Sequence, residues 1–273
     1  MEFMQYKTSD YHQILEEICQ EESIKLTWLS SDWLGQLEKS GQYRYILGHK
    51  FDLNSGAALQ VADDKYATFE VLRKSGVPII NHQILYEAQN HETYVQGRNS
   101  LAYVMDFFNQ HQQHIVLKPN VGQCGHNVYQ ITQSEQIAPA LKKIFHQSMS
   151  ASMCPFYEIK HEYRVILLDE EARLVYQKTR GKDWRFNLSQ GATAQPVQDQ
   201  LFQQCLVCLA QKAAKALNLR FCSVDIIDTV QHELLIMEVN SGVMTSGYLE
   251  QHPEQYADVE AMYHDAIVKM FEA

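Results

Sequence analysis

The chain has 273 residues, 45% of them hydrophobic and 21% charged, with a net charge of −10 at pH 7. That length suits one large domain or two to three lobes around a cleft, and the composition is that of a soluble globular protein. The acidic balance, without a long Lys/Arg run, excludes a general nucleic-acid binder but leaves room for a locally basic cleft. No apolar run is long enough to span a bilayer, and the start, Met1 to Lys7, lacks a secretory-signal pattern. A cytoplasmic protein with no membrane role is expected.

Periodicity predicts a helix over 10–22 and short strands over 25–29 and 44–47. A polar connection, 49–62, leads to Asp63-Asp64-Lys65 and a helix over 66–75, ended by Gly76 and Pro78. Residues 79–85 read as strand, 100–110 as helix, 115–118 as strand and 133–147 as helix. The runs 162–168 and 174–178 make a hairpin around Asp169-Glu170-Glu171. An amphipathic helix over 200–217 precedes a second hairpin, Phe221 to Ile227 and Leu234 to Asn240, and 254–271 closes the chain as a helix. Irregular alternation with several antiparallel pairs indicates an α+β fold rather than one doubly wound sheet. Cys205 and Cys208 have C-x-x-C spacing, but inside the 200–217 helix and with no second pair at zinc spacing. With Cys19, Cys124, Cys154 and Cys222 they read as buried free thiols in a reducing cytosol.

Three segments carry chemistry. In the second hairpin, Glu238 and Asn240 share a face, and folding near Gln231 brings Asp225 opposite Glu238. Val224, Ile226, Met237 and Val239 form the apolar side. Two carboxylates and an amide oxygen are hard ligands of the kind Mg²⁺ prefers, although a hairpin with a plain polar face shows the same pattern. The second segment runs from Ile115 through Lys118, Gly122 and Gly125 to Val128. Its glycines let backbone N–H groups approach phosphate oxygens, and Lys118 supplies charge. It is neither a Walker loop nor a dinucleotide fingerprint, and alone it is also compatible with a glycine turn. The third groups Lys178, Arg180, Arg185 and Asn187, which by themselves also suit a solvated loop.

Taken in order, these segments resemble the ATP-grasp superfamily, in particular the ribosomal-protein glutamate ligase and glutathione synthetase-like branch. The resemblance runs from about Asp63 to Gly247. It implies an ATP-grasp fold of two α+β lobes clasping ATP behind a short N-terminal α/β lobe. The implied boundaries are 1–62 before the grasp, 63–152 with the glycine loop, and 153–273 with the metal hairpin. Lys65 and Lys118 match the two nucleotide-binding lysines, and Gly122 and Gly125 lie in the phosphate loop. Pro155, Phe156 and Tyr157 fall at the adenine hinge, and Glu162 stands where the family has a ribose-binding Asp. Arg185 and Asn187 match the phosphate-contacting Phe-Arg-x-Asn-Leu segment, and Asp225, Glu238 and Asn240 match the metal triad. The chain departs from the family at Cys154-Pro155, where an acidic pair is usual. It departs again at Ser189-Gln190-Gly191, which lacks a basic group, and at Ser241-Gly242-Val243, where Ser-Pro-Gly is common. The last loop normally faces the second substrate.

The chemistry this implies is ATP-dependent ligation of a carboxylate to an amine through an acyl phosphate, attaching an amino acid such as glutamate to a small molecule, peptide or protein. The expected cofactors are ATP and two Mg²⁺ ions, for which Mn²⁺ can substitute. Arg164, Lys178 and Arg185 are the expected catalytic groups, the first two holding the incoming carboxylate. His126 reads as a polar loop histidine. A homodimer is allowed. The alternatives are an ATP-grasp kinase acting on a small molecule and a nucleotide-binding regulatory domain.

Overall fold

A computed structural model describes residues 10–122, 125–182 and 184–272. Cys124 of the glycine loop and the Met1–Lys7 start therefore lie outside the described residues. The chain opens with helix α1 (Asp10–Glu21), whose buried face is Tyr11, Ile14, Leu15, Ile18 and Cys19. An antiparallel meander follows: β1 (Lys25–Leu29), β2 (Leu34–Lys39), β3 (Gln42–Leu47) and β4 (Lys50–Phe51). Strand β2 has no counterpart in the sequence reading, because Leu34-Gly-Gln-Leu-Glu-Lys is poor in β-branched residues. It pairs through the full lengths of β1 and β3 all the same.

Helix α2 (Gly56–Asp63) replaces the end of the expected polar connection, with the Ser55 hydroxyl accepting from the Ala58 amide at 3.2 Å. Helix α3 (Lys65–Lys74) starts where Asp64 caps it, its carboxylate accepting from the Ala67 amide at 2.8 Å. This cap puts Lys65 in the first turn, pointing away from bulk water at 8% exposure.

One sheet contains β5 (Gln83–Tyr86), β6 (Ile115–Pro119), β7 (Tyr129–Ile131) and β8 (Ser150–Pro155), in the order β5-β8-β6-β7. Helices α4 (Leu101–Gln110) and α5 (Ile137–Phe145) cover it through Phe107, Phe108, Ile137 and Ile144. The expected 79–85 strand divides. Only 83–86 joins this sheet, while Ile79 bridges Ile236 and the Ile80 amide donates to the Ile236 carbonyl at 3.0 Å.

The larger sheet has the order β11-β10-β9-β12-β13, built from β9 (Ile159–Leu168), β10 (Glu171–Thr179), β11 (Thr193–Pro196), β12 (Phe221–Thr229) and β13 (Leu234–Asn240). The β9–β10 turn uses Asp169 and Glu170 at positive φ (49° and 66°), as a tight hairpin between right-twisted strands requires. Helix α6 (Gln200–Leu217) packs on one face of this sheet together with α2 and α3, through Ala58, Leu72, Leu206, Ala210 and Val224. Cys205 and Cys208 are exposed on this helix, not buried as expected. The terminal helix α8 (Tyr256–Glu272), which follows short α7 (Ser246–Leu249), shares a second core with α1 and the N-terminal meander. No helix of the described residues is long and apolar enough to cross a membrane.

Candidate active site

A cleft of about 470 Å³ is lined by residues from the five-stranded sheet, the β5-β8-β6-β7 sheet, the N-terminal meander and the loop after Asn240. Its first section is an apolar slot. Ile80, Val116, Cys154 and Ile227 form a buried cluster, with Phe156, Tyr157, Ile159, Trp184 and Met237 packed against it. The Phe156 ring stacks on His114 with centroids 4.0 Å apart, and the Phe156 amide donates to the His114 carbonyl at 3.0 Å. Pro155, Phe156 and Tyr157 all line the cleft, so the sequence-read hinge segment stands where a flat apolar base would fit. Met237 does not take the core-facing position expected of it. Asp225 pairs with Glu238 while Ile226 pairs with Ile236, leaving Met237 as an extra residue on β13. Such a bulge resets the alternation of faces and turns Met237 into the slot.

The next section is basic. Lys65 and Lys118 enter from α3 and β6, almost fully buried. Lys65 Nζ donates to the Gly122 carbonyl at 3.0 Å and lies 3.2 Å from Glu238 Oε1. Burial lowers the Lys118 pKa, and among the described residues Lys118 has no carboxylate at ion-pair distance. Arg185 Nη1 donates to the Gly125 carbonyl at 3.2 Å. Gly125 has φ +69°, and a Cβ there would come 3.1 Å from Asn187 Oδ1, so this position takes glycine for both conformation and space. Gly122, Gly125, Arg185 and Asn187 thus meet at the cleft, as their order in the sequence suggested.

The floor is an ion-pair network on three adjacent strands. Arg164 of β9 lies in register with Asp225 of β12. Its Nε and Nη2 donate to the two Asp225 oxygens at 2.8 and 2.7 Å. Lys178 Nζ donates to Asp225 Oδ1 at 3.0 Å and pairs with Glu162 as well. Asn240 Nδ2 donates to Asp225 Oδ2 at 3.3 Å. Burial alone would raise the Asp225 pKa, but Arg164 and Lys178 outweigh it and hold the carboxyl below its usual range. For Glu238 burial is likewise outweighed, by Lys65 and Lys118. For Glu162 burial wins and its pKa rises, with Lys178 opposing. Arg164, Lys178 and Glu162 were read as contacts for substrate and ribose. All three line the cleft, yet their charged groups already serve one another and Asp225.

The oxygen set of Asp225, Glu238 and Asn240 suits a hard divalent cation in its chemistry. The three differ in what they have to offer. A carboxylate accepts at about four positions, and Asp225 already receives four donors. Glu238 is paired with Lys65, and the Asn240 Oδ1 accepts no hydrogen bond among the described residues. Glu238 and Asn240 therefore fit such an ion as they stand, and Asp225 fits it by giving up one donor. No group of three His, Cys, Asp or Glu residues suited to a metal occurs among the described residues.

Sequence reasoning missed His82. It is 1% exposed, its Nδ1 lies 2.7 Å from the Ser152 hydroxyl, and its ring also hydrogen-bonds the Met237 backbone. Ser152 is in register with Lys118, and Met237 precedes Glu238. One imidazole therefore ties the strand beside Lys118 to the strand of Glu238. Burial, then Lys118 and Lys65, push its pKa well down. A neutral ring has the one donor and one acceptor that a carbonyl and a hydroxyl require. Also missed were Trp33, Leu47, His49 and Lys50, which the meander carries to the far end of the cleft. Ser223 could have been found, since it precedes Asp225 by two residues on the same strand face.

A family model described as the RimK-like ATP-grasp domain matches residues 62–258, well over half of the chain. The chain belongs to the RimK-like ATP-grasp family. ATP-dependent carbon–nitrogen ligation is the reaction class that goes with this membership. Among solved structures, the chain is similar to D-alanine–D-alanine ligase from Bacillus anthracis complexed with ATP, with a TM-score of 0.59 and 14% identity over 80% of this chain and 67% of that one. It is also similar to the ATP-grasp ligase PsnB complexed with minimal precursor, with a TM-score of 0.56 and 15% identity over 80% and 64%. A third is N5-carboxyaminoimidazole synthase from Aspergillus clavatus, with a TM-score of 0.54 and 17% identity over 71% and 48%. At these identities the likeness is one of fold. No curated protein matches the sequence. The expected α+β ATP-grasp architecture is thus the one observed in this RimK-like chain.

Proposed function

We propose that this RimK-like protein joins a carboxylate to the amine of a small molecule or peptide through an acyl phosphate, with an amino acid as one partner. The observation that carries the reading is the charge arrangement beside the apolar slot. Four cations, Lys65, Lys118 and Lys178 buried and Arg164 partly buried, face three carboxylates, Glu162, Asp225 and Glu238, in a chain that is acidic overall. A positive excess held there favours a polyphosphate.

The lobes 63–152 and 153–273 act as the two jaws, and 1–62 borders the far end. The slot takes adenine, and Glu162 meets the ribose. A substrate carboxylate oxygen attacks the γ-phosphorus and ADP leaves. The amine then attacks the acyl carbon and phosphate leaves. Lys65, Lys118 and Arg185 neutralise charge moving toward ADP, aided by Asn187 and the Gly122 and Gly125 backbone. Arg164 and Lys178 hold the incoming carboxylate, exchanging part of their contact with Asp225 for it. Glu238, Asn240 and Asp225 hold Mg²⁺, two ions in the full complex, which supplies further neutralisation of the triphosphate. The work of the protein is positioning rather than covalent catalysis.

With ¹⁸O-labelled carboxylate substrate, one label is expected in the released phosphate, and hydroxylamine is expected to give a hydroxamate. Formation of ADP with a phosphorylated product and no label in phosphate would replace this reading with a kinase.

A further inference from the structure

The far end of the cleft is built unlike the slot and the ionic floor. Three large apolar side chains line it while remaining open to solvent: Trp33 at 56%, Leu47 at 50% and Met244 at 39% exposure. They come from separate segments, and a run of contacts joins those segments. The Trp33 ring lies so close over Gly48 that a Cβ at Gly48 would come within 2.5 Å of it. The Gly48 amide donates to the Trp33 carbonyl at 2.7 Å, and the Val243 amide donates to the His49 carbonyl at 3.0 Å. Gly242 rests against Lys50 and His49, where a Cβ would meet them at 3.5 and 3.6 Å. The same loop continues to Gly247, which sits on Leu188, the neighbour of Asn187. An aromatic and aliphatic wall therefore runs from the N-terminal meander toward the glycine-loop contacts.

Two polar atoms on this cleft are buried without a partner among the described residues, Ser223 Oγ and His49 Nδ1. Ser223 is 1% exposed and lies in register with Asn240. An unsatisfied buried hydroxyl costs about 1–3 kcal/mol, and such an exception calls for an explanation, of which a ligand group is one. The Lys50–Asp63 ion pair, to which the Ser241 hydroxyl donates at 3.1 Å, lines the same end. Apolar walls with a few convergent polar groups are the make-up of a small-molecule site.

We infer that this end is a subsite for an α-amino acid with an apolar or aromatic side chain, either free or as the end residue of a peptide. Its side chain lies against Trp33, Leu47 and Met244. Its polar head reaches the Ser223 hydroxyl and the Lys50–Asp63 pair, facing the ionic floor where the ligase reading places the chemistry. A charged side chain would give up part of its hydration against this wall, and Lys50 and Asp63 already serve each other, so the subsite selects against it. The assignment rests on the ligase reading for which end of the ligand reacts, but not for binding itself.

Equilibrium binding to the full chain with Mg·ADP tests it, using tryptophan fluorescence and calorimetry. The probes are L-leucine, L-phenylalanine, the dipeptides Leu-Gly and Gly-Leu, L-aspartate and L-lysine. At least one leucine or phenylalanine compound is expected to bind tenfold or more tightly than aspartate and lysine, and the dipeptides tell a free amino acid from a peptide end. Trp33→Ala is expected to weaken that binding about tenfold and Ser223→Ala about threefold, with ADP affinity unchanged, and Trp33→Phe is expected to restore most of it. Binding of aspartate or lysine as tight as that of the apolar probes overturns the subsite, as does no apolar binding, or an unaltered affinity in Trp33→Ala. A parallel melting scan with Mg·ATP separates the two readings. A shift with no apolar probe bound removes the subsite alone, whereas no shift with Trp33-dependent binding intact removes the ligase reading alone.

Discussion

The two ends of the cleft solve different problems. At the ionic floor, buried Lys178 and Asp225 and partly buried Arg164 and Glu238 stand on neighbouring strands whose register fixes who meets whom. At the far end, Trp33 stands on a turn, Met244 on a loop and Leu47 at the end of β3, and all three remain open to water. Strand pairing can hold charged groups at set distances, because a one-residue slip would turn every side chain to the other face. Loops tolerate change without disturbing the sheet. On the ligase reading, the difference teaches that the phosphate chemistry would be anchored in the scaffold, while partner choice would fall largely to a turn and a loop, segments that can vary.

Breaking the floor should be costly. Asp225→Asn takes from buried Lys178 one of its two carboxylates and from Arg164 the one it grips at two points. A stability loss of roughly 3–5 kcal/mol is expected, as for removing one member of a buried pair. The denaturant midpoint with unchanged slope measures it, and a loss near zero would mean that the network is not the anchor. Glu238→Gln keeps the shape of a side chain paired with Lys65 but removes its charge. Turnover should fall at least about 100-fold, roughly 3 kcal/mol in the barrier, with the fold intact. Near-normal turnover would move the chemistry elsewhere.

His82 sharpens the comparison because its ring hydrogen-bonds Ser152 and the Met237 backbone rather than the ionic groups themselves. His82→Phe should raise the KM for ATP about tenfold and leave the far-end binding unaffected. His82→Gln, which retains a donor and an acceptor, should recover most of that affinity. Equal losses in both variants would reduce the ring to a packing element.

The smallest effect is a control away from the cleft. Asp169 is held at a pKa of about 2 by hydrogen bonding from Arg220, with burial opposing and Lys269 assisting. Its folded pKa lies below the unfolded value of about 3.9. The stability it lends is therefore complete above about pH 4 and is lost as pH falls toward 2. The stability difference between the native chain and Asp169→Asn should shrink over that window, with no change in the melting shift given by Mg·ATP. A difference that stays constant from pH 5 to 2 would show that the pairing contributes nothing.

Much of the floor was legible before any coordinates. Period-2 alternation put Glu238 and Asn240 on one face and a fold near Gln231 brought Asp225 roughly opposite Glu238, but the pairing observed needs the extra residue at Met237, without which the turn would set Asp225 opposite Met237. Lys65, Lys118, Gly122, Gly125, Arg185 and Asn187 also came together as their order suggested. The bulge at Met237 was not legible, since nothing in Leu234–Asn240 marks an extra residue until β12 is laid beside it. The 79–82 segment reads as strand by composition, yet its partners are Ile236, Met237 and Ser152, on two different sheets.

The sequence by itself determined the α+β class, the β12–β13 hairpin with its polar face and the family, because local periodicity and spaced glycines, lysines and carboxylates survive as patterns in one dimension. The tertiary structure decided the rest. Only long-range pairing could show that Arg164 and Lys178 already grip Asp225, that Glu162 belongs to Lys178, and that a tryptophan from the N-terminal turn ends up facing a methionine loop more than two hundred residues away. Such contacts depend on how separate faces are buried against one another, and no window along the chain contains both partners.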